Sequence, residues 1–299
     1  MIKTPLSTVI GGAFWTPGAT IIGSASKTLT QLIKSLFANN EQGFAYDPND
    51  LTTLYQDAAG TISVTAAGQP VGLILDKSKG LALGLELIPQ PLNFNGWVKT
   101  AAVTGTTANS FTTNGAGGCT FPIFGNNNTN TYKISVKGVA SVAGNLRNGG
   151  VSNLPIPFSA GNFEITNINP LLASGGTSVY LSLGSAGTLT IESITIEELK
   201  GNHAYQTVSA MRPLLVAAPQ RLDYDAVDDK LITNLPTQLT GCTVIRAVPN
   251  VGTQILMNQT IPTPYNDNTD HCGLIVINRA LTASETSQIT KLFNKAAGV

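Results

Sequence analysis

Charged residues are scarce in this chain. Of its 299 residues, 11 % are Asp, Glu, Lys or Arg, and the 17 basic residues balance the 17 acidic ones, so the formal net charge is zero. A protein that follows nucleic-acid phosphates needs a basic excess, and a disordered chain combines few apolar residues with a high net charge. The apolar fraction of 42 % and the zero net charge exclude both classes. A surface with so little charge does little to prevent association, so we expect a protein that works within an assembly.

Cysteine is also scarce, and long apolar runs are missing. Cys119, Cys242 and Cys272 are widely spaced and form no Cys-x-x-Cys pair or Cys/His cluster, which argues against a zinc motif and a disulfide framework. We expect buried thiols, and a Cys242–Cys272 bridge stays open for an oxidising compartment. No window approaches the roughly 18 apolar residues of a membrane span. The N-terminus, which Pro5 and a glycine pair interrupt, shows no signal-peptide pattern.

Thr, Ser, Asn and Gly take the place of charge. From about 92 to 199, short alternating stretches such as 131–137 and 189–197 are separated by loops rich in Gly, Asn and Ser. Alternation of apolar and polar residues is the period of a half-buried strand. Frequent short strands with turn signals between them indicate an antiparallel sandwich or jelly roll. We therefore predict a mainly β protein, in which a jelly-roll or β-sandwich insert interrupts a second, truncated β domain.

An N-terminal helix is expected after an apolar arm of about 26 residues. Its apolar side chains recur at helical spacing and are Leu29, Leu32, Ile33, Leu36 and Phe37. A short helix with one apolar stripe is marginal alone in water, so the stripe needs a partner in its own chain or in identical subunits around a symmetry axis. We expect the arm and this helix to anchor and oligomerise the protein.

A C-terminal amphipathic helix closes the chain. Thr282 is the expected N-cap and Glu285 completes a capping box. Ile289, Leu292 and Phe293 form its apolar face.

Two separated stretches resemble the opening of tailed-bacteriophage virion proteins. The first runs through 37–51, 54–57 and 71–78 and ends in Asp76-Lys77-Ser78, and the second is Gly201-Asn202-His203-Ala204-Tyr205-Gln206. In that family the second motif follows the first within a few residues, whereas here more than a hundred residues intervene. Residues 222–229 resemble the start of a laminin-G-like (concanavalin-like) domain, and residues 274–285 resemble its last strand and closing helix.

The resemblance implies an insertion. Residues 1–40 would be an anchoring arm and helix, and residues 41–79 and 200–299, the parent region, a discontinuous laminin-G-like domain. Residues 80–199, the insert, resemble a carbohydrate-binding-module jelly roll through Gly96-Trp97, 131–136 and 188–199. The ends of a sandwich can lie close together, so a module can enter a surface loop at small cost. Only about 45 residues separate Asp229 from Leu274, so residues 1–79 or neighbouring subunits would have to complete the parent region, unless it is simply truncated.

Sugar binding by the insert is the sharpest site hypothesis. Sugar rings stack on aromatic side chains, and their hydroxyls bond to amides. The aromatic candidates are Trp97, Phe124, Tyr132 and Tyr180, and the amide candidates are Asn126, Asn127, Asn128 and Asn145. The same rings could instead form the jelly-roll core, which suits Tyr132 and Tyr180 best because they lie in alternating strands.

Catalytic groups do not form a recognisable constellation. His203 is interpreted as a structural turn residue, and His271 and Cys272 are adjacent on a strand, so they point to opposite faces. The acidic residues Asp223, Asp225, Asp228 and Asp229 are weak candidates for a hard cation. They lack the glycine-punctuated spacing of a calcium loop, and a structural turn is favoured. We expect no catalysis and no cofactor.

The resemblance implies a non-enzymatic virion component: a tail or head fibre, a collar or a decoration subunit, made in the host cytoplasm and located in the particle. It would self-associate, with a trimer preferred, and contact other virion proteins through the N-terminal arm. The alternative is a lectin or adhesin that binds bacterial surface polysaccharide. A polysaccharide depolymerase, the third hypothesis, lacks a visible acid pair.

Overall fold

The structure is a computed structural model, and it describes residues 8–10, 13–15, 27–88, 91–122, 131–149, 156–169 and 178–299. The fold is mainly β, as predicted, and every described strand pair is antiparallel. Before residue 80 the elements are β1 (Thr8–Ile10), β2 (Ala13–Trp15), α1 (Leu29–Leu36), β3 (Gly43–Tyr46), a 3-10 turn (Leu51–Thr53), β4 (Leu54–Tyr55) and β5 (Leu73–Ile74).

The insert contributes eleven described strands and one 3-10 turn. They are β6 (Leu83–Glu86), the turn (Phe94–Gly96), β7 (Val98–Lys99), β8 (Val103–Thr106), β9 (Ser110–Thr113), β10 (Gly117–Pro122), β11 (Thr131–Ala140), β12 (Gly144–Gly149), β13 (Ile156–Phe158), β14 (Gly161–Asn169), β15 (Ser178–Leu183) and β16 (Gly187–Leu199).

The remaining elements follow the insert. They are β17 (Ala204–Tyr205), a 3-10 turn (Ser209–Met211), β18 (Leu214–Val216), β19 (Arg221–Asp223), β20 (Leu231–Thr233), β21 (Leu239–Val248), β22 (Gly252–Ile261), β23 (Tyr265–Asp267), β24 (Leu274–Ile277) and α2 (Ala283–Ala297).

The insert is a two-layer β-sandwich. One sheet has the order β13-β12-β15-β10-β7, and the other has the order β14-β11-β16-β9-β8, with β6 also paired to β16. Alternation decides which side chains fill the space between them: Val179 and Leu181 of β15 are fully buried, and so are Ile194 and Ile196 of β16. Among the described residues, the apolar core of this sandwich is formed by side chains between Leu87 and Ile196.

The parent region has three layers. A five-stranded sheet, β23-β20-β17-β5-β4, faces a four-stranded sheet, β22-β21-β24-β3, and the helices α1 and α2 cover the other face of the four-stranded sheet. All four residues of β24 are therefore buried, with Val276 facing one layer and Ile275 facing the other. A strand buried on both faces is a continuous apolar run and does not alternate.

Segments before and after the insert complete these sheets together. β3 pairs with β24, so that Ala45 lies opposite Ile275. β5 pairs with β17, so that Ile74 lies opposite Ala204. Of the possibilities left open by the short 229–274 segment, the structure therefore shows completion of the parent region by residues that precede the insert.

Of the two partners left open for the apolar stripe of α1, the structure shows the one in its own chain, so Leu32, Ile33, Leu36 and Phe37 are not available for the predicted interface between subunits. Thr28 caps the helix in a capping box with Gln31, but the apolar stripe lies against the chain's own sheet and α2. Its residues are buried or partly buried there: Leu32, Ile33 and Leu36 are at most 1 % exposed, Phe37 is 5 % exposed, and Leu29 is partly buried. A side chain without exposed surface cannot contact another subunit. The helix, which we expected to belong to the arm of residues 1–40, packs on the parent region.

The two ends of the insert lie side by side. The Lys200 amide donates to the Ala82 carbonyl (3.0 Å), and Leu199 of β16 is the register partner of Leu83 in β6. The insert and parent region share one small apolar cluster, in which Ile168 and Leu199 meet Ala58, Leu73 and Tyr205. This is the arrangement that insertion into a surface loop requires.

Candidate functional site

The Asp76 carboxylate is the centre of the junction between the insert and the parent region. Asp76 is fully buried, and it accepts four hydrogen bonds: from the amides of Ala45 (2.8 Å), Ser78 (2.8 Å) and Asn202 (2.7 Å) and from the Ser78 hydroxyl (2.7 Å). Burial raises the pKa of Asp76 to about 6, against the lowering effect of these hydrogen bonds. One side chain thus holds together a strand of the four-stranded sheet and both ends of the insertion point.

His203 completes this junction. Its Nδ1 accepts from the Asp76 amide (2.9 Å), so Nε2 carries the proton and donates to the Leu199 carbonyl (3.1 Å). Burial lowers the pKa of His203 to about 4, which keeps the ring neutral. Both ring nitrogens are used by backbone groups, so the prediction of a structural histidine agrees with its contacts.

A buried ion-pair cluster lies beside the junction. The Lys77 ammonium lies 3.0 Å from an Asp47 oxygen and 2.8 Å from an Asp50 oxygen. Burial disfavours the charged form of Lys77, but the two carboxylates outweigh burial and raise its pKa. Each residue of the Asp76-Lys77-Ser78 motif therefore has a structural role. The Asp76 carboxylate and the Lys77 ammonium bond to other segments of the parent region, and the Ser78 hydroxyl bonds to Asp76.

A second contact attaches the insert to the parent region at a place distant from the two ends of the insert. The Ile168 amide donates to the Ala59 carbonyl (2.9 Å), and the Asn167 side chain donates to the same oxygen. Gly60 next to it has φ +62°, and a Cβ there would lie 2.7 Å from Cβ of Ile168. The insert is thus attached at two places.

Two of the aromatic sugar-binding candidates are core residues. Trp97 is 5 % exposed, and its ring centroid lies 4.3 Å from that of Phe94. Tyr132 is 1 % exposed and belongs to the same core. Their prediction as sugar-stacking residues is wrong, because Trp97, directly after the 3-10 turn, and Tyr132 of β11 both lie in the core of the sandwich. Phe124, Asn126, Asn127 and Asn128 lie outside the described residues.

The other two candidates lie on one outer face of the insert. Tyr180 alternates with the buried Val179 and Leu181 in β15, so its side chain points outward from the five-stranded sheet. Asn145 alternates with the buried Leu146 in the neighbouring β12, and it is half-buried. Asn145 pairs with Ser182, the residue two positions after Tyr180, so the ring and the amide belong to adjacent rows of this face.

The outer face also holds an arginine that the sequence analysis missed. Arg147 lies opposite Tyr180 in the register and is exposed. Burial raises the pKa of Tyr180, against the lowering effects of Arg147 and of a hydrogen bond with the Thr100 side chain. The signal was present in β12 as the alternation of Asn145, Leu146 and Arg147. The outer face thus combines an aromatic ring, a guanidinium group and an amide.

The four acidic candidates for cation binding do not form one group of ligands. Asp223 is bound to Arg221 (2.9 Å). The nearest oxygens of Asp225, Asp228 and Asp229 lie within 4.8 Å of one another. One Asp225 oxygen accepts from the amides of 227, 228 and 229, an arrangement typical of a turn stabilised by its own aspartate.

His271 and Cys272 lie on opposite sides of the backbone, as predicted. The His271 ring bonds to Asp267 (2.7 Å), which also accepts from the Tyr224 hydroxyl (2.8 Å). Cys272 belongs to the cluster beneath the helices, whereas Cys242 belongs to the cluster between the two sheets. All three thiols are buried and free, so Cys242 and Cys272 form no bridge.

Neither described helix, with eight residues in α1 and fifteen in α2, is long and apolar enough to cross a membrane. No protein-family model, no curated protein and no solved structure matches this chain.

Proposed function

We propose that this chain is a non-enzymatic structural component of a bacteriophage virion that displays the insert at the particle surface. The junction carries the proposal. The two motifs that resemble virion proteins, Asp76-Lys77-Ser78 and Gly201-Asn202-His203-Ala204, bond to each other directly although the insert separates them. The motif is therefore one structural unit of the parent region, kept intact around an added module.

The attachment of the insert suits display. Adjacent ends alone would act as a hinge, but the additional contact of Ile168 with Ala59 and the shared apolar cluster restrict rotation about that hinge. In this proposal the parent region is the base, residues 1–26 bind other virion proteins, and the insert projects outward in a fixed orientation.

The test is incorporation into particles. A culture would express the chain, with a tag at its C-terminus, during infection, and particles would be purified on a density gradient. We expect the chain in the particle fraction, and we expect deletion of residues 1–26 to move it to the soluble fraction. As the control, replacement of residues 81–199 by a short glycine linker should leave incorporation unchanged. Absence of the full chain from purified particles would contradict the proposal.

A second candidate function is glycan binding by the outer face of the insert. The observation that favours it is the placement of Tyr180, Arg147 and Asn145 on that face. An aromatic ring can stack on a sugar ring, while guanidinium and amide groups bond to its hydroxyls.

Binding of the full chain to immobilised host cell-wall polysaccharide tests this second function. Tyr180→Ala should weaken binding at least about tenfold, which is about 1.4 kcal/mol, whereas Tyr180→Phe should retain it because the ring remains. Lys137→Ala, on the outer face of the other sheet, is the matched control. Equal binding by all three variants would exclude this face as the site.

A further inference from the structure

A cavity of about 340 Å³ lies beside the junction. We call it the junction cavity. It is lined by both parts of the molecule: Glu198 is near the end of the insert, and Lys79, Lys200 and Asn202 belong to the chain on either side of the insert. This volume lies within the range of ligand pockets in proteins.

Two lysines line the cavity, Lys79 and Lys200. The Lys79 ammonium donates to the backbone carbonyl of Glu41 (3.0 Å). Lys200 is exposed, and within the described ranges its side chain makes neither a hydrogen bond nor an ion pair. Glu198 is the single acidic residue of the lining. In a chain with no net charge, this cavity has a local excess of positive charge.

The remaining lining combines polar and apolar groups. Asn40, Gln42 and Thr237 are exposed polar side chains at its rim. Leu235, Pro236 and Leu239 form an apolar wall. The Asn202 side chain donates to the Gly43 carbonyl (2.7 Å), and this hydrogen bond holds the floor of the cavity to β3.

We propose that the junction cavity binds an acidic sugar residue, such as a uronic acid within a polysaccharide. Lys79 and Lys200 would hold the carboxylate, the amide and hydroxyl side chains would bond to the ring hydroxyls, and the Leu235–Pro236 wall would lie against the apolar face of the ring. This site is separate from the outer face that contains Tyr180, and it rests neither on that face nor on the virion role.

Isothermal titration calorimetry of the full chain with an oligosaccharide of galacturonic acid tests the proposal. We expect a dissociation constant in the millimolar range or lower, and we expect no binding of a neutral glucose oligosaccharide of the same length. Lys200→Gln and Lys79→Gln should each raise the dissociation constant at least about fivefold. The control is Lys34→Gln, which removes an exposed lysine of α1 that does not line the cavity and should leave the constant unchanged.

Other outcomes would overturn the proposal. Absence of binding, or binding that Lys200→Gln leaves intact, would exclude the cavity as the site. Displacement of the oligosaccharide by an equal concentration of inorganic sulfate would show an unspecific anion site. Loss of binding in Tyr180→Ala together with retention in Lys200→Gln would place the sugar on the outer face.

Discussion

The insert and the parent region solve the same packing problem differently. The insert is a sandwich of two sheets whose strands alternate, and its buried polar residues within the described ranges are the uncharged Thr113, Thr131, Asn167 and Ser182. The parent region has a middle sheet buried on both faces, and it buries charged or titratable groups, among them Asp76, Lys77 and His203. The insert therefore depends on its apolar core, whereas the parent region also depends on a network of buried titratable groups.

The largest expected effect separates the two cores. Phe111 lies in the core of the insert and Phe293 in the cluster beneath the helices, and both are fully buried. Replacement of either by Ala should lower the free energy of unfolding by about 3–5 kcal/mol. In a Trp15→Phe background, the fluorescence of Trp97 reports on the unfolding of the insert alone. Phe111→Ala should lower the denaturant midpoint of this fluorescence transition, whereas Phe293→Ala should leave it unchanged. A single transition that both variants shift equally would show that the regions unfold as one unit.

The junction gives the next effect. Asp76→Ala leaves four buried donors without their acceptor, so the parent region should lose at least about 3 kcal/mol. The matched control is Asp223→Ala, which removes a partly exposed partner of Arg221 and should cost less than about 1 kcal/mol. Circular dichroism during denaturation measures both. Equal losses in the two variants would mean that the Asp76 hydrogen bonds do not stabilise the parent region.

The pH dependence of the free energy of unfolding should come from the parent region. In the folded chain the pKa of His203 is about 4, below the ordinary value of about 6.5. The contribution of His203 to the free energy of unfolding is therefore fully present above pH 6.5 and is lost as the pH falls towards 4. The folded pKa of Asp76, about 6, lies above its ordinary value, so its contribution is present at low pH and is lost as the pH rises through 6. The two slopes oppose each other between pH 4 and 6.

His203→Gln separates these slopes. The variant keeps a neutral donor for Leu199 but no longer titrates, so the free energy of unfolding of the natural chain minus that of the variant should rise by up to about 3 kcal/mol from pH 4 to 6.5. Denaturation at a series of pH values measures this difference. A difference that is constant with pH would show that His203 does not contribute to the pH dependence.

The smallest effect concerns the second contact between the regions. In Gly60→Ala the new Cβ meets Ile168, which should cost about 1–2 kcal/mol and speed hydrogen exchange of the Ile168 amide. Gly68→Ala is the control, because Gly68 also has a positive φ (+85°) but no atom within 4 Å of the new Cβ. Equal exchange rates at Ile168 in the two variants would show that the contact at Gly60 does not hold the insert.

Local features of the fold could be predicted well. The alternating stretches 131–137 and 189–197 of the insert lie within the strands β11 and β16. The C-terminal helix begins at the expected Thr282 with the expected capping box to Glu285. These signals work because caps and alternation depend on residues a few positions apart.

The candidate site could be predicted only in part. Tyr180 and Asn145 were identified by residue type, but the type does not say which face a ring occupies, and Trp97 and Tyr132 of the same type are core residues. The face depends on the register of a strand with its neighbours, since a shift by one residue exchanges the two faces. Arg147 became a candidate only through its register with Tyr180.

The β class, the scarcity of charge, the C-terminal capping box and the order of the motifs could be read from the sequence, because each depends on composition or on near neighbours along the chain. The tertiary structure alone decided that α1 is covered by its own chain, that Ala45 pairs with Ile275, and that Asp76 meets His203. Each of these contacts joins residues far apart in sequence. Their formation depends on how whole sheets and layers pack, which no short window of residues specifies.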